Sequence, residues 1–224
     1  SIEILAPAKV SIDRLIVCGI GKTATLTEQQ LVDLGGAILA QLQGRKGSSA
    51  SVLIDIDGTD ELKPEMVAAL IAQGAMLRHY TFKKYLTKKP SEEVAQDKDG
   101  LRKLIVHVAH PDKAKAAFQP LKAVVNGVNF ARDLVNEPAN ILGPVELAEK
   151  TKALEKLGVE VEIFDVKQME KMKMGSLLCV GQGSERPSRM AVMVWNGAKG
   201  NKKQKPVCFI GKGVIFDTGG ISIK

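Results

Sequence analysis

The sequence predicts an α/β protein: an N-terminal layered domain with a mixed sheet flanked by helices, a linker helix, and the first part of a second α/β/α domain. Two observations lead to this prediction. Short apolar runs alternate with amphipathic helical patterns in the first half of the chain, which is typical of layered α/β domains. A long helical pattern then separates this part from a second alternation. We therefore expect domains at residues 1–112 and 138–224, joined by a helix over residues 113–137.

Strands and helices alternate in the predicted N-terminal domain. Apolar runs predict buried strands at residues 15–20, 51–57 and 104–109. Apolar positions that recur at helical spacing predict helices over residues 28–43 and 64–80. Thr27 stands where the first helix begins, and Gln30 completes the sequence pattern of a capping box. This alternation can close a hydrophobic core by itself.

The second half of the chain repeats the alternation after the linker helix. The helical pattern that starts at residue 113 reaches Pro138, which cannot continue a helix. Pro144 is expected to begin the next helix, which Gly158 ends. The remaining elements are predicted as a strand at residues 159–164, a short helix at 167–173, a strand at 177–184 that runs into a glycine turn, and a strand at 190–195.

The last stretch, residues 207–224, combines an apolar run, glycines and isolated charges. The run at its start predicts a buried strand. Lys212, Asp217 and Lys224 are set into this segment. Burying a charge without a partner is costly, so these side chains need opposite charges or a metal ion. The pattern alone fits a solvated Lys–Asp pair at a strand edge as well as it fits a binding site.

The residues themselves favour a binding site. Residues 211–224, Gly-Lys-Gly-Val-Ile-Phe-Asp-Thr-Gly-Gly-Ile-Ser-Ile-Lys, closely resemble the metal-binding signature of the leucine aminopeptidase (cytosol aminopeptidase) family. Residues 129–149 and 177–187 are similar to other parts of that family's catalytic domain. The resemblance implies that Lys212 and Asp217 bind two divalent metal ions, either zinc or manganese or else magnesium, and that Lys224 is the catalytic lysine.

The resemblance also implies an activity and an assembly. Family members are metalloaminopeptidases that release N-terminal residues, often leucine, from peptides by two-metal activation of water. They form hexamers with the catalytic domains inside. We therefore expect peptide substrates and a homo-oligomer for the complete protein.

Two residues cannot hold two metal ions, because even one zinc ion takes about four ligands. The pattern of the family continues with further carboxylates and an arginine, in a segment that would follow Lys224. We therefore expect this chain to be a fragment, or one piece of a larger product, that is inactive alone.

The charge balance leaves a second interpretation open. The net charge is +7, which allows attraction to nucleic acid, but the aromatic content of 4% offers few residues for stacking on bases. A non-catalytic or DNA-binding role is therefore the alternative to an enzyme, although no motif supports it. A nucleotide site at residues 19–23 is weaker still, because a phosphate loop requires glycine where Ile16 stands.

The cysteines point to a reducing compartment. Cys18, Cys179 and Cys208 are far apart and each lies in an apolar run, so they are expected to be reduced thiols in the core of a cytoplasmic protein. The first residues lack the pattern of a secretory signal, and no apolar run approaches the roughly 20 residues that span a membrane.

Overall fold

The computed structural model describes residues 1–44, 47–55, 62–87, 101–198 and 205–216. The chain divides into two compact units, residues 1–131 and 132–224. The described residues combine helices with small sheets, which confirms the predicted α/β class. The elements are β1 (Ile2–Leu5), β2 (Arg14–Val17), α1 (Glu28–Leu42), β3 (Ser49–Leu53), α2 (Pro64–His79), β4 (Lys103–His107), α3 (Pro111–Asn136), α4 (Pro144–Lys152), β5 (Glu160–Phe164), α5 (Val166–Lys171), α6 (Gly175–Leu178) and β6 (Met190–Val194).

The strands pair in three separate ladders within the described residues. β1 and β2 are antiparallel, β3 and β4 are parallel, and β5 and β6 are antiparallel. Among its described residues, the first unit therefore holds both strand directions, in two separate ladders. Strand β2 was predicted to be buried, yet Leu15 and Val17 are 36% and 50% exposed. A two-stranded ribbon is the reason, since it covers little of either face.

Helix α1 begins as the sequence predicts. The Gln30 backbone N–H donates to Thr27 Oγ1 at 3.3 Å, and the Thr27 N–H donates to Gln30 Oε1 at 2.9 Å. This reciprocal pair is a capping box, which satisfies two donors that the first turn of a helix leaves free. Pro64 occupies the first turn of α2, where a missing N–H costs nothing.

Helices α1 and α2 pack against each other and form the core of the first unit. Leu31 of α1 and Val67, Leu70 and Ile71 of α2 are at most 3% exposed. Leu121 of α3 packs against the same cluster. The core is thus a helix pair with apolar side chains from neighbouring segments around it.

Two glycines let the backbones of α1 and α2 touch. A Cβ added to Gly35 would collide with the carbonyl oxygen of Ile71 and lie 2.9 Å from its Cα. A Cβ added to Gly74 would collide with the carbonyl oxygen of Val32 and lie 3.0 Å from the backbone nitrogen of Gly36. Each glycine therefore occupies space that only a hydrogen atom can fill, and the two close contacts are reciprocal.

We predict that Gly74→Ala destabilises the chain while Gly36→Ala does not. The new methyl group at position 74 meets rigid backbone, so the helices must move apart, at a cost of about 1–3 kcal/mol or more. At Gly36 the nearest atoms to an added Cβ lie 3.7 and 3.9 Å away, which is ordinary contact. Alanine there gains helix propensity of up to about 1 kcal/mol. The midpoint of urea unfolding, followed by circular dichroism, measures both changes. Equal midpoints for the two variants would contradict the assigned packing.

One apolar run of the second unit forms helical turns where a strand was predicted. Residues 177–184 were predicted as a strand, but they form the end of α6 and a 3₁₀ turn at Cys179–Gly181. Their backbone bonds are local, as in the N–H of Ser184 donating to the carbonyl oxygen of Gly181 at 3.0 Å. A short apolar run carries no periodicity that separates a strand from a helical turn, which explains the error.

Helices α4 and α5 and strands β5 and β6 agree with the sequence. Helix α4 continues into a 3₁₀ turn at Ala153–Leu157, and Gly158 ends it with a φ of +85°. Strands β5 and β6 and helix α5 lie within two residues of their predicted bounds.

The three cysteines are free thiols, but they are not core residues. Cys18 is half-buried, and Cys179 and Cys208 are exposed. The expectation of core thiols is wrong because the apolar runs around Cys179 and Cys208 are not buried strands. Within the residues described, no helix has both the length and the apolar character needed to cross a membrane.

Candidate metal centre

The three residues that the sequence singles out lie at the end of the chain. The structure describes Lys212, whose side chain is exposed. Asp217 and Lys224 lie outside the described residues. The geometry of the site is therefore known around Lys212 and the elements beside it.

Lys212 lies on the extended segment 205–216. The apolar residues that precede it, Val207, Phe209 and Ile210, are 81% to 95% exposed. The prediction of a buried strand here is wrong, because an apolar strand is buried only when other strands and helices cover it. Within the described residues this segment joins no ladder. A backbone bond near the site is local: the N–H of Val214 donates to the carbonyl oxygen of Lys212 at 3.1 Å.

The segment makes a close approach to α4 beside Lys212. A Cβ added to Gly213 would lie 3.3 Å from Leu147 Cδ2. Glycine therefore lets the backbone next to Lys212 pass close to this side chain. The backbone beside Lys212 and the side chain of Leu147 are therefore neighbours.

The start of α4 is fixed by a local carboxylate. Glu146 Oε2 accepts a hydrogen bond from the backbone N–H of Gly143 at 2.9 Å. Hydrogen bonds from the Glu146 and Gly143 backbones, with the Arg186 guanidinium nearby, hold the pKa of this carboxyl below its ordinary value, outweighing the opposite effect of burial. Glu146 is therefore ionised at neutral pH, as suits the first turn of a helix.

Arg186 connects this helix start to a distant part of the unit. Its Nη1 donates to the carbonyl oxygen of Ala139 and its Nη2 to that of Asn140, both at 2.8 Å. Its Nη1 also lies 3.8 Å from Glu146 Oε2. Sequence reasoning identified Arg186 only as part of a family resemblance. No local pattern could reveal contacts across 46 and 47 positions.

The described residues do not complete a metal site by themselves. Among the residues described, no three or more His, Cys, Asp or Glu side chains are grouped so that they could hold a metal ion. Lys212 offers one nitrogen, and a lysine amine binds a metal only after losing its proton. The donor set therefore needs carboxylates from elsewhere.

The chain is similar to one protein family over most of its length. The model of the N-terminal domain of the cytosol aminopeptidase family matches residues 1–89. The model of the catalytic domain of the same family matches residues 129–224. The second match includes Lys212, Asp217 and Lys224.

Bacterial relatives are similar to the whole chain. A protein named "Probable cytosol aminopeptidase" from Rhizobium johnstonii is 49% identical over 223 residues, which is 100% of this chain and 43% of the relative. Proteins of the same name from Chelativorans and Rhodopseudomonas palustris are 48% and 47% identical, again over 100% of this chain and 43% of the relative. The chain thus spans less than half the length of these curated relatives.

Two solved structures share its fold. A mutant of tomato leucine aminopeptidase aligns with a TM-score of 0.64 and 24% identity, over 75% of this chain and 33% of its own. A bottromycin maturation enzyme in complex with manganese aligns with a TM-score of 0.59 and 20% identity, over 77% of this chain and 34% of its own. At these identities the likeness concerns the fold alone.

Proposed function

Because the chain belongs to the cytosol aminopeptidase family, we propose that it is part of a metal-dependent aminopeptidase that releases N-terminal residues, often leucine, from peptides. The family's N-terminal domain matches the first part of the chain and its catalytic domain matches the last part. This pair of matches is the observation that carries the proposal. The complete protein acts in the cytoplasm as a homo-oligomer, a hexamer as the family resemblance implies.

Three residues have assigned roles in the proposed reaction. Lys212 and Asp217 bind two divalent metal ions, zinc or manganese or else magnesium. When bound, these ions lower the pKa of a water molecule so that it can attack the peptide carbonyl. Asp217 would hold the ions through its carboxylate, and Lys212 would do so through a neutral amine.

Lys224 has a different proposed role from that of Lys212. It stays protonated and donates to the oxyanion that develops on the substrate carbonyl. The two lysines thus need opposite protonation states because their proposed roles differ: a metal ligand offers a free lone pair, and a donor to an oxyanion keeps its proton. Lys212 is exposed in the described chain, so the proposal requires other segments to cover it in the active protein.

The active site is completed by residues that this chain does not hold. A lysine and an aspartate supply too few donors for two ions, since one zinc ion takes about four ligands. The relatives are more than twice as long as the matched region. This length supports the proposal that the remaining metal ligands lie outside the present chain.

The experiment uses the complete gene product after its metals have been removed by a chelator. Adding manganese or zinc should restore release of a chromophore from a leucine anilide. Asp217→Asn should lose bound metal and activity together, because the neutral amide is a poorer metal ligand than a carboxylate. Asp112→Asn removes the same charge from an exposed position on α3 and should change neither. Full activity without metal, or in Asp217→Asn, would refute the proposed function.

A further inference from the structure

Arg186 forms hydrogen bonds with a loop of the second unit that is far from it in sequence. Two of its nitrogens donate to the carbonyl oxygens of the consecutive residues Ala139 and Asn140, each at 2.8 Å. A guanidinium group is planar and its donors are fixed in direction, so binding two adjacent carbonyls sets the orientation of the loop as well as its position. A lysine in this position could not bind both carbonyls in one plane.

The loop that Arg186 holds leads directly into α4. The carbonyl oxygen of Pro138 accepts from the N–H groups of Ile141 and Leu142, both at 2.9 Å. Leu142 is 6% exposed, so the end of the loop is anchored in the interior. Residues 138–143 are therefore an ordered lead into the first turn of α4.

Gly143 leaves the space that Arg186 occupies. A Cβ at this position would collide with Arg186 Nη1, and it would lie 3.0 Å from Arg186 Cζ and 2.7 Å from Glu146 Oε2. The guanidinium thus packs against bare backbone at the start of α4 and lies 3.8 Å from the Glu146 carboxylate. Both the Arg186 guanidinium and the Glu146 carboxylate therefore contact the backbone at the start of α4.

The same helix start touches the candidate metal segment. Leu147 follows Glu146 directly. A Cβ added to Gly213 would lie 3.3 Å from Leu147 Cδ2, so these two residues are neighbours. Gly213 is the neighbour of Lys212. Contacts therefore run from Arg186 through the first turns of α4 to the backbone beside the proposed ligand.

We propose that Arg186 is a positioning residue for the metal site, acting through α4 and Leu147 on the segment that carries Lys212. This inference rests on the proposed function, because it assumes that Lys212 binds metal. Arg186 itself touches neither metal nor substrate. Its role is to keep the Lys212 backbone where the amine can reach the ion.

Calorimetric titration of the metal-free complete gene product with manganese tests the proposal. Arg186→Ala should weaken manganese binding about tenfold, the lower range for residues that orient metal ligands. Arg186→Lys should bind with intermediate affinity. Arg189→Ala is the matched control: Arg189 is three residues away, carries the same charge, and its Nη1 donates to the adjacent carbonyl oxygen of Ser188. It should bind manganese like the wild type.

A double-mutant cycle separates positioning from a general loss of stability. Leu147→Ala should weaken manganese binding in the same direction as Arg186→Ala. The double variant should lose less than the product of the two separate effects, because both act through one set of contacts. Independent, multiplicative effects would overturn the proposal.

Other outcomes distinguish this inference from the function beneath it. Unchanged manganese affinity in Arg186→Ala, with only a lower unfolding temperature, would make the residue merely structural and reject the inference. An equal loss in Arg189→Ala would reject it as well. If the wild-type protein binds no divalent metal at all, the proposed function fails and the inference falls with it.

Discussion

The 224-residue chain by itself is expected to hydrolyse no leucine anilide, even with manganese or zinc in excess. Asp217 is the one carboxylate in the signature, and a lysine such as Lys212 can bind metal only after losing its proton. In the described chain Lys212 is exposed on an extended segment whose apolar residues are uncovered. A lone carboxylate beside an exposed lysine holds a divalent ion too loosely to activate water.

Release of the anilide chromophore by the purified chain, compared with that by the complete gene product, measures this expectation. Activity and bound metal should appear together when the missing donors are supplied in the same polypeptide or as a second chain. Metal-dependent turnover by the 224 residues alone, if it survives further purification and disappears in Asp217→Ala, would show that the donor count is wrong.

Replacing Lys224 in the complete gene product should lower the turnover number by about 10²–10³, the usual effect of removing one donor to an oxyanion. Metal content should stay near that of the wild type, since the proposed role of Lys224 is electrostatic. Steady-state kinetics of Lys224→Ala together with elemental analysis give both quantities from one preparation.

Lys212→Ala provides the contrast in the same assay. It should lose metal as well as activity, because the proposed role of Lys212 is ligation. If Lys224→Ala loses its metal too, then Lys224 belongs among the ligands and its proposed role as a donor is refuted.

The sequence predicted the elements whose signals are local and repeated. Helices α1 and α2 lie within one residue of their predicted bounds, and the capping box at Thr27 and Gln30 forms as expected. Helical periodicity accumulates over many residues, and a capping box requires only residues three apart. Such features depend little on the rest of the fold.

Features that depend on contacts between residues far apart in the chain could not be predicted from the sequence. The apolar run at residues 177–184 fits a strand or helical turns equally well, and its surroundings produce turns. The run before Lys212 is apolar, yet its burial depends on which segments cover it. The contacts of Arg186 with Ala139 and Asn140 join positions that no local pattern relates.

The approach of α1 to α2 through Gly35 and Gly74 also limits how this protein can change during evolution. Every single-base change of a glycine codon that alters the amino acid adds at least one carbon atom to the side chain, unless it introduces a stop. At either position that carbon meets the backbone of the opposite helix. No one-step mutation of these codons is therefore conservative, and a lineage that loses one glycine must first separate the two helices by changes elsewhere. Gly36 is the next codon after Gly35 and is under no such restriction. Among related genes, position 36 should therefore vary much more than position 35.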